Sequence, residues 1–252
     1  MKVSIVTSTF NSEKTILDTL NSVKNQTYKN IEHIIVDGLS TDKTLQIINN
    51  FENENLKIIS EPDNGIYDAM NKGLKIATGE VIGLLNSDDL FFSNESISYI
   101  VSAFSDDIDA CYSDLVYVNE ENNKILRYWK SNDYILGSFG IGWSPPHPTF
   151  YIKSSVLGKK KFDLSYPISA DVELMSRLME VHKIKTRYIP KTLVRMRVGG
   201  ASNRNLKSIF DQNIEVIKSF KKNKIKFNIV LFFVKKIINR FVQYISASHS
   251  NK

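Results

Sequence analysis

Two adjacent carboxylates, Asp88 and Asp89, stand where an apolar run ends. Val81-Ile82-Gly83-Leu84-Leu85 gives way there to Asn86-Ser87-Asp88-Asp89-Leu90. The run has the length and apolar density of a buried strand. Acids at its exit are costly unless something positive meets them. A divalent metal is the natural candidate, because Mg²⁺ and Mn²⁺ prefer carboxylate oxygens and share them with substrate phosphates. The same acids also fit a solvated turn or a helix cap before Asn94-Glu95-Ser96-Ile97, since Asp is a favoured N-cap. Taken alone, the segment leaves both readings open.

Strand and helix signals alternate through the first half of the chain. Strands are expected at 2–7, 31–36, 56–60 and 81–85. Between them lie a helix following Asn11-Ser12, one opened by Ser40-Thr41-Asp42, and one over 66–77. That alternation predicts an α/β fold with a mostly parallel sheet flanked by helices, and ligands beyond the carboxyl ends of the strands. Asp37, Asp63 and Asp88 each follow a strand at that end, so topology gathers three acids on one rim. The second half is less regular. Strands are expected at 108–118, 125–129, 149–152 and 185–189, a Gly- and Pro-rich loop at 137–148, helices at 170–182 and 205–220, and a flexible loop at 198–202.

Several functions are excluded by what is missing. No G-x-G-x-x-G follows the first strand and no G-x-x-x-x-G-K-[ST] occurs, which argues against a dinucleotide-linked dehydrogenase and a P-loop NTPase. The lone Cys111 excludes an internal disulfide or a cysteine-based metal cluster and reads as a buried strand residue. The opening Met1-Lys2-Val3-Ser4-Ile5-Val6 enters a strand without a secretory leader pattern, so a cytoplasmic location is expected.

The formal charge of +6 is unevenly spread. No acid follows Glu215, whereas nine of the 33 Lys and Arg residues do, leaving 24 bases against 27 acids in 1–215. A mildly acidic body with a basic tail argues against a nucleic-acid-binding body and for an electrostatic attachment device.

Taken together, the chain resembles the family 2 glycosyltransferases, whose Rossmann-like catalytic fold is called GT-A. Five segments carry the resemblance, in the family's order and spacing: Val3 to Asn11 (VSIVTSTFN), Ile35 to Thr44 (IVDGLSTDKT), Ala69-Met70-Asn71-Lys72-Gly73, Leu84-Leu85-Asn86-Ser87-Asp88-Asp89, and Ala170-Asp171-Val172-Glu173-Leu174. The stretch Asp63-Asn64-Gly65-Ile66-Tyr67-Asp68 is most similar to the subgroup that builds bacterial surface polysaccharides.

The resemblance implies roles. Thr7, Thr9 and Asp37 match residues that hold base and ribose, with uridine favoured because a carboxylate accepts the imide N–H of uracil. Asn71 and Lys72 match an element facing the nucleotide. Asn86, Ser87 and Asp88 fall in the nucleotide-sugar motif, and Asp88 with Asp89 matches its metal-binding acids, for Mn²⁺ or Mg²⁺. Asp171 matches the catalytic base; read without the family, it is an early-turn acid stabilising a helix N-terminus. Three positions depart from the usual pattern. Asn86 stands where the metal motif starts with Asp, Gly38 where a second acid often follows Asp37, and Ala170 where an acid often precedes the base.

Other residues keep two readings. His147, between Pro146 and Pro148, is either an idle loop histidine or one near acceptor or diphosphate. Arg195 and Arg197 are either a solvated strand face or cover the UDP phosphates, Arg197 being the better placed. Trp143 and Tyr67 either pack internally or against a sugar ring.

The implied organisation is a GT-A body over 1–215, with a nucleotide-binding half of about 1–105 and an acceptor-binding half of about 106–215, and a helical tail over 216–252. In the tail, Leu231, Val234, Ile238, Phe241 and Ile245 share one helical stripe, with Lys222, Lys236 and Arg240 opposite. Its longest apolar run, 229–234, is far short of the roughly 20 residues a span needs. A basic amphipathic helix lying on the anionic inner face of the cell membrane is expected, the alternatives being a helix folded back on the body or paired with a second copy.

The expected function is inverting, metal-dependent transfer of a hexose from a UDP-sugar to a lipid-linked or oligosaccharide acceptor. Competing readings are a sugar nucleotidylyltransferase, for which Ser8-Thr9-Phe10-Asn11 lacks the Gly-rich basic loop, and a non-catalytic sugar-nucleotide-binding assembly protein, for which Asn86 is the best argument.

Overall fold

The computed structural model describes residues 1–119, 122–198 and 206–250. Strand β1 (Val3–Thr9) is buried along its whole length and pairs in parallel with β2 (Ile31–Asp37), from Val3↔Ile31 to Thr9↔Asp37. β3 (Leu56–Ser60) joins β2 and β4 (Val81–Leu84) joins β1, both in parallel. Helices α1 (Ile16–Lys24), α2 (Thr44–Asn49) and α3 (Ile66–Ile76) make the crossovers. Side chains alternate across the sheet. Val3, Ile5 and Val81 pack with Ile97 and Ile100 of α4 (Ser96–Ser102), whereas Val6, Ile34 and Val36 pack with Met70 of α3. Cover on both faces is why these strands read as continuous apolar runs.

Beyond β4 the sheet is mixed. β8 (Tyr151–Lys153) runs antiparallel to β4 and leads into the single turn α5 (Ser154–Leu157). β6 (Ala110–Asn119) pairs antiparallel with β8 and then with β7 (Lys124–Trp129), and in parallel with β9 (Thr186–Arg197) on its other side. The short β5 (Leu90–Phe91), directly after the two acids, pairs antiparallel with β9 and ends the order β3-β2-β1-β4-β8-β6-β9-β5. Asp88 and Asp89 therefore lead into a strand and do not cap α4.

Three expectations shift on this frame. The last body strand does not stop at 189: its register against β6 jumps from Ser113↔Ile189 to Asp114↔Thr192 and then continues to Val118↔Arg197. Pro190, with no N–H to donate, sits at that irregularity, where a strand tolerates it. The helix expected over 170–182 divides into α6 (Ala170–Ser176) and a π turn, Arg177–Val181. The strand expected at 149–152 begins later, after a 3-10 turn at His147–Thr149. The expected loop at 199–202 and the helix start at 205 lie outside the described residues; α7 (Leu206–Lys222) follows.

The tail forms α8 (Ile229–Ser250), which packs on β7 and on the 3-10 turn Phe139–Ile141. It docks by its polar side. Lys236 donates to Asn213 of α7 at 2.7 Å, and Arg127, stacked between Tyr117 and Trp129, donates through Nε to buried Gln243. Phe232 is the apolar anchor, edge-on to Phe220 with ring centroids 6.0 Å apart. The apolar stripe faces outward: Ile238 is 54% exposed and Phe241 66%, with Ile237 beside them 70% exposed. The helix thus folds against the body, but with Lys236 and Arg240 turned inward. Lys222 lies apart on α7, paired with Asp163 at 2.5 Å. No helix among the described residues is long and apolar enough to cross a membrane.

Candidate active site

The site forms where β1, β2 and β4 end. The β1–α1 loop is tied to its neighbours by short polar bonds: Asn11 N–H donates to Ser40 Oγ, Thr41 N–H to Asn11 Oδ1, and Ser12 N–H to Thr44 Oγ1 at 2.7 Å. Ser12 and Ser87 share a hydroxyl bond of 2.9 Å, which joins this loop to the segment after β4. Asp37 is fully buried and accepts from Ser40 N–H at 3.0 Å, from the Ser40 hydroxyl at 2.5 Å and from the Ser60 hydroxyl at 2.8 Å. Beside it, Gly38 leaves room for an acid from the next loop: a Cβ there would meet Asp63 Oδ2 at 2.4 Å. The acid missing at position 38 is thus replaced in space by Asp63, which the sequence order alone does not reveal.

The acids after β4 have separate environments. Asp89 is fully buried and accepts from Asn86 Nδ2 at 2.9 Å. Burial and the neighbouring Asp88 push its carboxyl well above the usual carboxylate range. Asp89, expected with Asp88 as a metal-binding acid, is thus the inner of the two, and Asp88, half-buried, is the acid nearer the surface. The pairing Leu90↔Arg195 sets the end of β9 beside the segment that carries Asp88 and Asp89. Arg197 is largely buried, pairs with Asp18 at 2.5 Å, and its charge also acts on Asp89.

Asp171, in the first turn of α6, is gripped from two sides. The Tyr67 hydroxyl, from the first turn of α3, donates to Asp171 Oδ1 at 2.8 Å, and His147 Nδ1 stands 3.2 Å from Oδ2. Burial and the Asp171 charge raise the Tyr67 hydroxyl well above its ordinary pKa, keeping it a donor. The pairing Ile82↔Ile152, continued toward the end of β4, brings the His147–Thr149 turn alongside Leu84 to Asn86. His147, Asp171 and Leu84 also line one small cavity of about 40 Å³. The base candidate and the Asn86–Asp89 segment therefore share one rim. Tyr67, 104 residues away in the chain, carried no local signal for this role.

Not every expected residue opens onto that rim. Thr7 is buried and lies 2.9 Å from His33 Nε2, whereas Thr9, at the very end of β1, stands beside Asp37. The Asn71 side chain exchanges two hydrogen bonds with the Phe162 backbone, at 3.0 and 2.9 Å, and clasps α3 to the later half of the chain. Lys72 pairs with Glu61 at 3.1 Å and donates to the Pro62 carbonyl. Both side chains are engaged within the protein, and the charge of Asp63 also acts on Lys72. Their engagement explains how α3 is held in place to present Tyr67.

The donor set suits a hard cation shared with a substrate. Asp88 offers a carboxylate, and Asn86 Oδ1 and Asp89 Oδ1 are buried without a hydrogen-bond partner beside it. Among the described residues no three or more His, Cys, Asp or Glu converge to hold an ion alone. Mg²⁺ and Mn²⁺ commonly bind through one or two carboxylates with substrate phosphates completing the shell.

The family model of glycosyl transferase family 2 matches residues 4–167. The PGL/p-HBAD biosynthesis glycosyltransferase of Mycobacterium bovis is 30% identical over 205 residues, covering 79% of this chain and 78% of that one. Among solved structures, TarS 1–349 of S. aureus in complex with UDP superposes with TM-score 0.62 at 20% identity, covering 87% of this chain and 65% of that chain. Against a longer TarS chain, the protein spans 37% of its length. Glucosyl-3-phosphoglycerate synthase of Mycobacterium tuberculosis, in complex with Mn²⁺, UDP and glucosyl-3-phosphoglycerate, has TM-score 0.61 at 16% identity, covering 88% and 79%. With the family model over residues 4–167, a relative 30% identical over most of both chains and this likeness of fold, the chain belongs to glycosyltransferase family 2 and has the GT-A fold.

Proposed function

We propose that this enzyme transfers a hexose from a UDP-sugar, with inversion, to a lipid-linked or oligosaccharide acceptor in surface-polysaccharide assembly, working against the inner face of the cell membrane. The observation that carries the reading is Asp171, held by Tyr67 and His147 beside the end of β4. Asp171 accepts the proton of the acceptor hydroxyl while its oxygen attacks the anomeric carbon and the bond to the diphosphate breaks. One in-line displacement needs no covalent sugar intermediate and inverts the centre. Tyr67 and His147 fix the direction of the carboxylate; Thr9, Asp37 and Asp63 form the side of the rim suited to base and ribose. Asp88 would hold Mn²⁺ or Mg²⁺, which when bound neutralises the departing diphosphate. UDP and Mn²⁺ in complexes of proteins with the same fold support this donor chemistry. Residues 1–105 would serve the donor and 106–215 the acceptor.

The outward face of α8 supports membrane attachment. Val234, Ile237, Ile238 and Phe241 are exposed on α8, and Lys221, Lys224, Lys226 and Lys235 are exposed on the end of α7, the link and α8, with no acid after Glu215. Apolar burial plus attraction to anionic lipid is how interfacial helices bind.

Two measurements test the reading. A panel of nucleotide sugars with Mn²⁺ or Mg²⁺ should show UDP-sugars stabilising the fold and being slowly hydrolysed. Asp171→Asn should keep the stabilisation and lose turnover by about 10³-fold or more. Binding without any turnover, unchanged in Asp171→Asn, would overturn the assignment. For attachment, Ile237→Lys with Phe241→Lys should abolish binding to vesicles of anionic lipid; retained binding would exclude the outer face of α8.

A further inference from the structure

The helix that carries the base candidate is held at its start by another helix. α6 opens at Ser169, whose hydroxyl makes no cap bond to α6 and donates instead to the Gln212 carbonyl of α7 at 3.1 Å. The position three residues on, where a Glu or Gln would reach back to the Ser169 N–H, is Val172. Glu215 of α7 supplies that acceptor from outside. One of its carboxylate oxygens accepts the N–H groups of Ile168 and Ser169, both at 2.9 Å. Asp171 comes two residues after Ser169. The Ile168 carbonyl accepts from the Tyr67 hydroxyl at 3.0 Å, and the same hydroxyl donates to Asp171 Oδ1 at 2.8 Å. Ile168 is thus gripped at its N–H by Glu215 and at its carbonyl by Tyr67.

The support itself is firm. Val216 and Phe220 of α7 are buried in the same core cluster as Ala170 of α6. Asn223, just past the end of α7, donates from Nδ2 to the buried Glu173 at 2.8 Å. α7 therefore holds α6 on both sides of Asp171, at 168–169 and at 173. Hydrogen bonds to an ionised acceptor are stronger than neutral ones, and a negative group beside a helix start is favoured by the helix dipole. The charge of Glu215 also acts on Tyr67, alongside that of Asp171.

We propose that Glu215 is a positioning residue for glycosyl transfer: through two backbone N–H groups it sets where the first turn of α6 lies, and so where the Asp171 carboxylate points. Proton transfer needs that carboxylate within hydrogen-bond reach of the acceptor hydroxyl, and a misplacement of about 1 Å costs about 10²-fold in rate. The inference rests on the glycosyl-transfer reading and adds to it a residue that no motif marks, the last acid of the chain.

The test uses the full chain and the UDP-sugar that the native protein hydrolyses with Mn²⁺. Glu215→Leu should lower kcat by about 10- to 100-fold and leave KM for the UDP-sugar within about twofold of native. Glu215→Gln keeps an acceptor oxygen for both N–H groups and should recover kcat to within about threefold of native. Hydrogen exchange gives a reading that needs no turnover. In Glu215→Leu the amides of residues 168–174 should exchange at least about tenfold faster, with β1 and β2 unchanged. Native kcat in Glu215→Leu, or unchanged exchange at 168–174, would overturn the assignment. So would a fall in kcat matched by an equal loss of UDP stabilisation, which is general unfolding. A Glu215→Gln variant as slow as Glu215→Leu would also overturn it, by making charge the cause. If the native chain hydrolyses no sugar nucleotide, the glycosyl-transfer reading fails by itself, and the exchange rates still decide whether Glu215 holds the turn.

Discussion

Gly38 and Asp63 occupy one place in the site: a Cβ on residue 38 would come within 2.4 Å of Asp63 Oδ2. The Asp63 carboxylate is fixed there, because its Oδ1 accepts the Gly65 N–H at 2.8 Å. An acid at position 38 and an acid at position 63 are therefore alternatives. Gly38→Asp should lower thermal stability and weaken UDP binding about tenfold or more, through steric clash and like-charge repulsion. Adding Asp63→Gly should recover much of both. Thermal melts with and without UDP check this; a double variant no better than the single one would mean that position 38 does not share the Asp63 role.

Tyr67 donates to Asp171 from a buried position and stays protonated, since burial and the carboxylate both raise its pKa. Tyr67→Phe keeps the ring contact with Phe162, 5.3 Å between centroids, and removes only the donor. A hydrogen bond to a charged group contributes about 1.5–3 kcal/mol. The variant should fold, bind UDP, and lose kcat by about tenfold or more. Unchanged kcat with normal stability would show that His147 alone orients the base.

How much of this was legible in the sequence varies with distance along the chain. The strands that lead to Asp37 and Asp88 could be read because each is a short apolar run between turn residues, with the acid at its end or a few residues beyond. Asp171 could be placed only through a family resemblance, because its partners Tyr67 and His147 come from remote loops and no local period links them. Asp88 and Asp89 look equivalent in the sequence until the chain's turn sends Asp89 inward to Asn86. β9 was cut short at Pro190, a residue that breaks a strand unless the partner register can slip, as it does at Asp114. The tail's period was clear, but which face met the body was not: Arg127, far upstream, demands a polar partner and draws Gln243 inward.

His33 supplies a pH signature of the core beneath the donor rim. It is fully buried beside Thr7, and burial lowers its pKa to about 3. The unfolded chain takes up that proton near pH 6.5 while the folded chain refuses it. The stability from this residue is complete above pH 6.5 and is lost progressively as pH falls toward 3, at about 1.4 kcal/mol per unit. Urea midpoints between pH 7 and 4.5 should fall more steeply for the native protein than for His33→Gln. Parallel slopes would mean that His33 is protonated in the fold.

Asn86 stands where the family's metal motif usually begins with an acid, and in this chain it donates to the buried Asp89. Asn86→Asp removes that donor and places a third carboxyl beside Asp88 and Asp89. Without metal the variant should be less stable by about 1–3 kcal/mol, since a buried carboxyl loses its partner and gains a like neighbour. With Mn²⁺ and UDP the order should reverse, because added negative charge at the cation strengthens its binding. Melting temperatures across a Mn²⁺ titration, at fixed UDP, separate the two effects. The native protein should gain stability only at higher Mn²⁺, and Asp88→Asn should gain least. A metal response that Asp88→Asn leaves intact and Asn86→Asp does not strengthen would remove this segment as the place where cation and diphosphate meet.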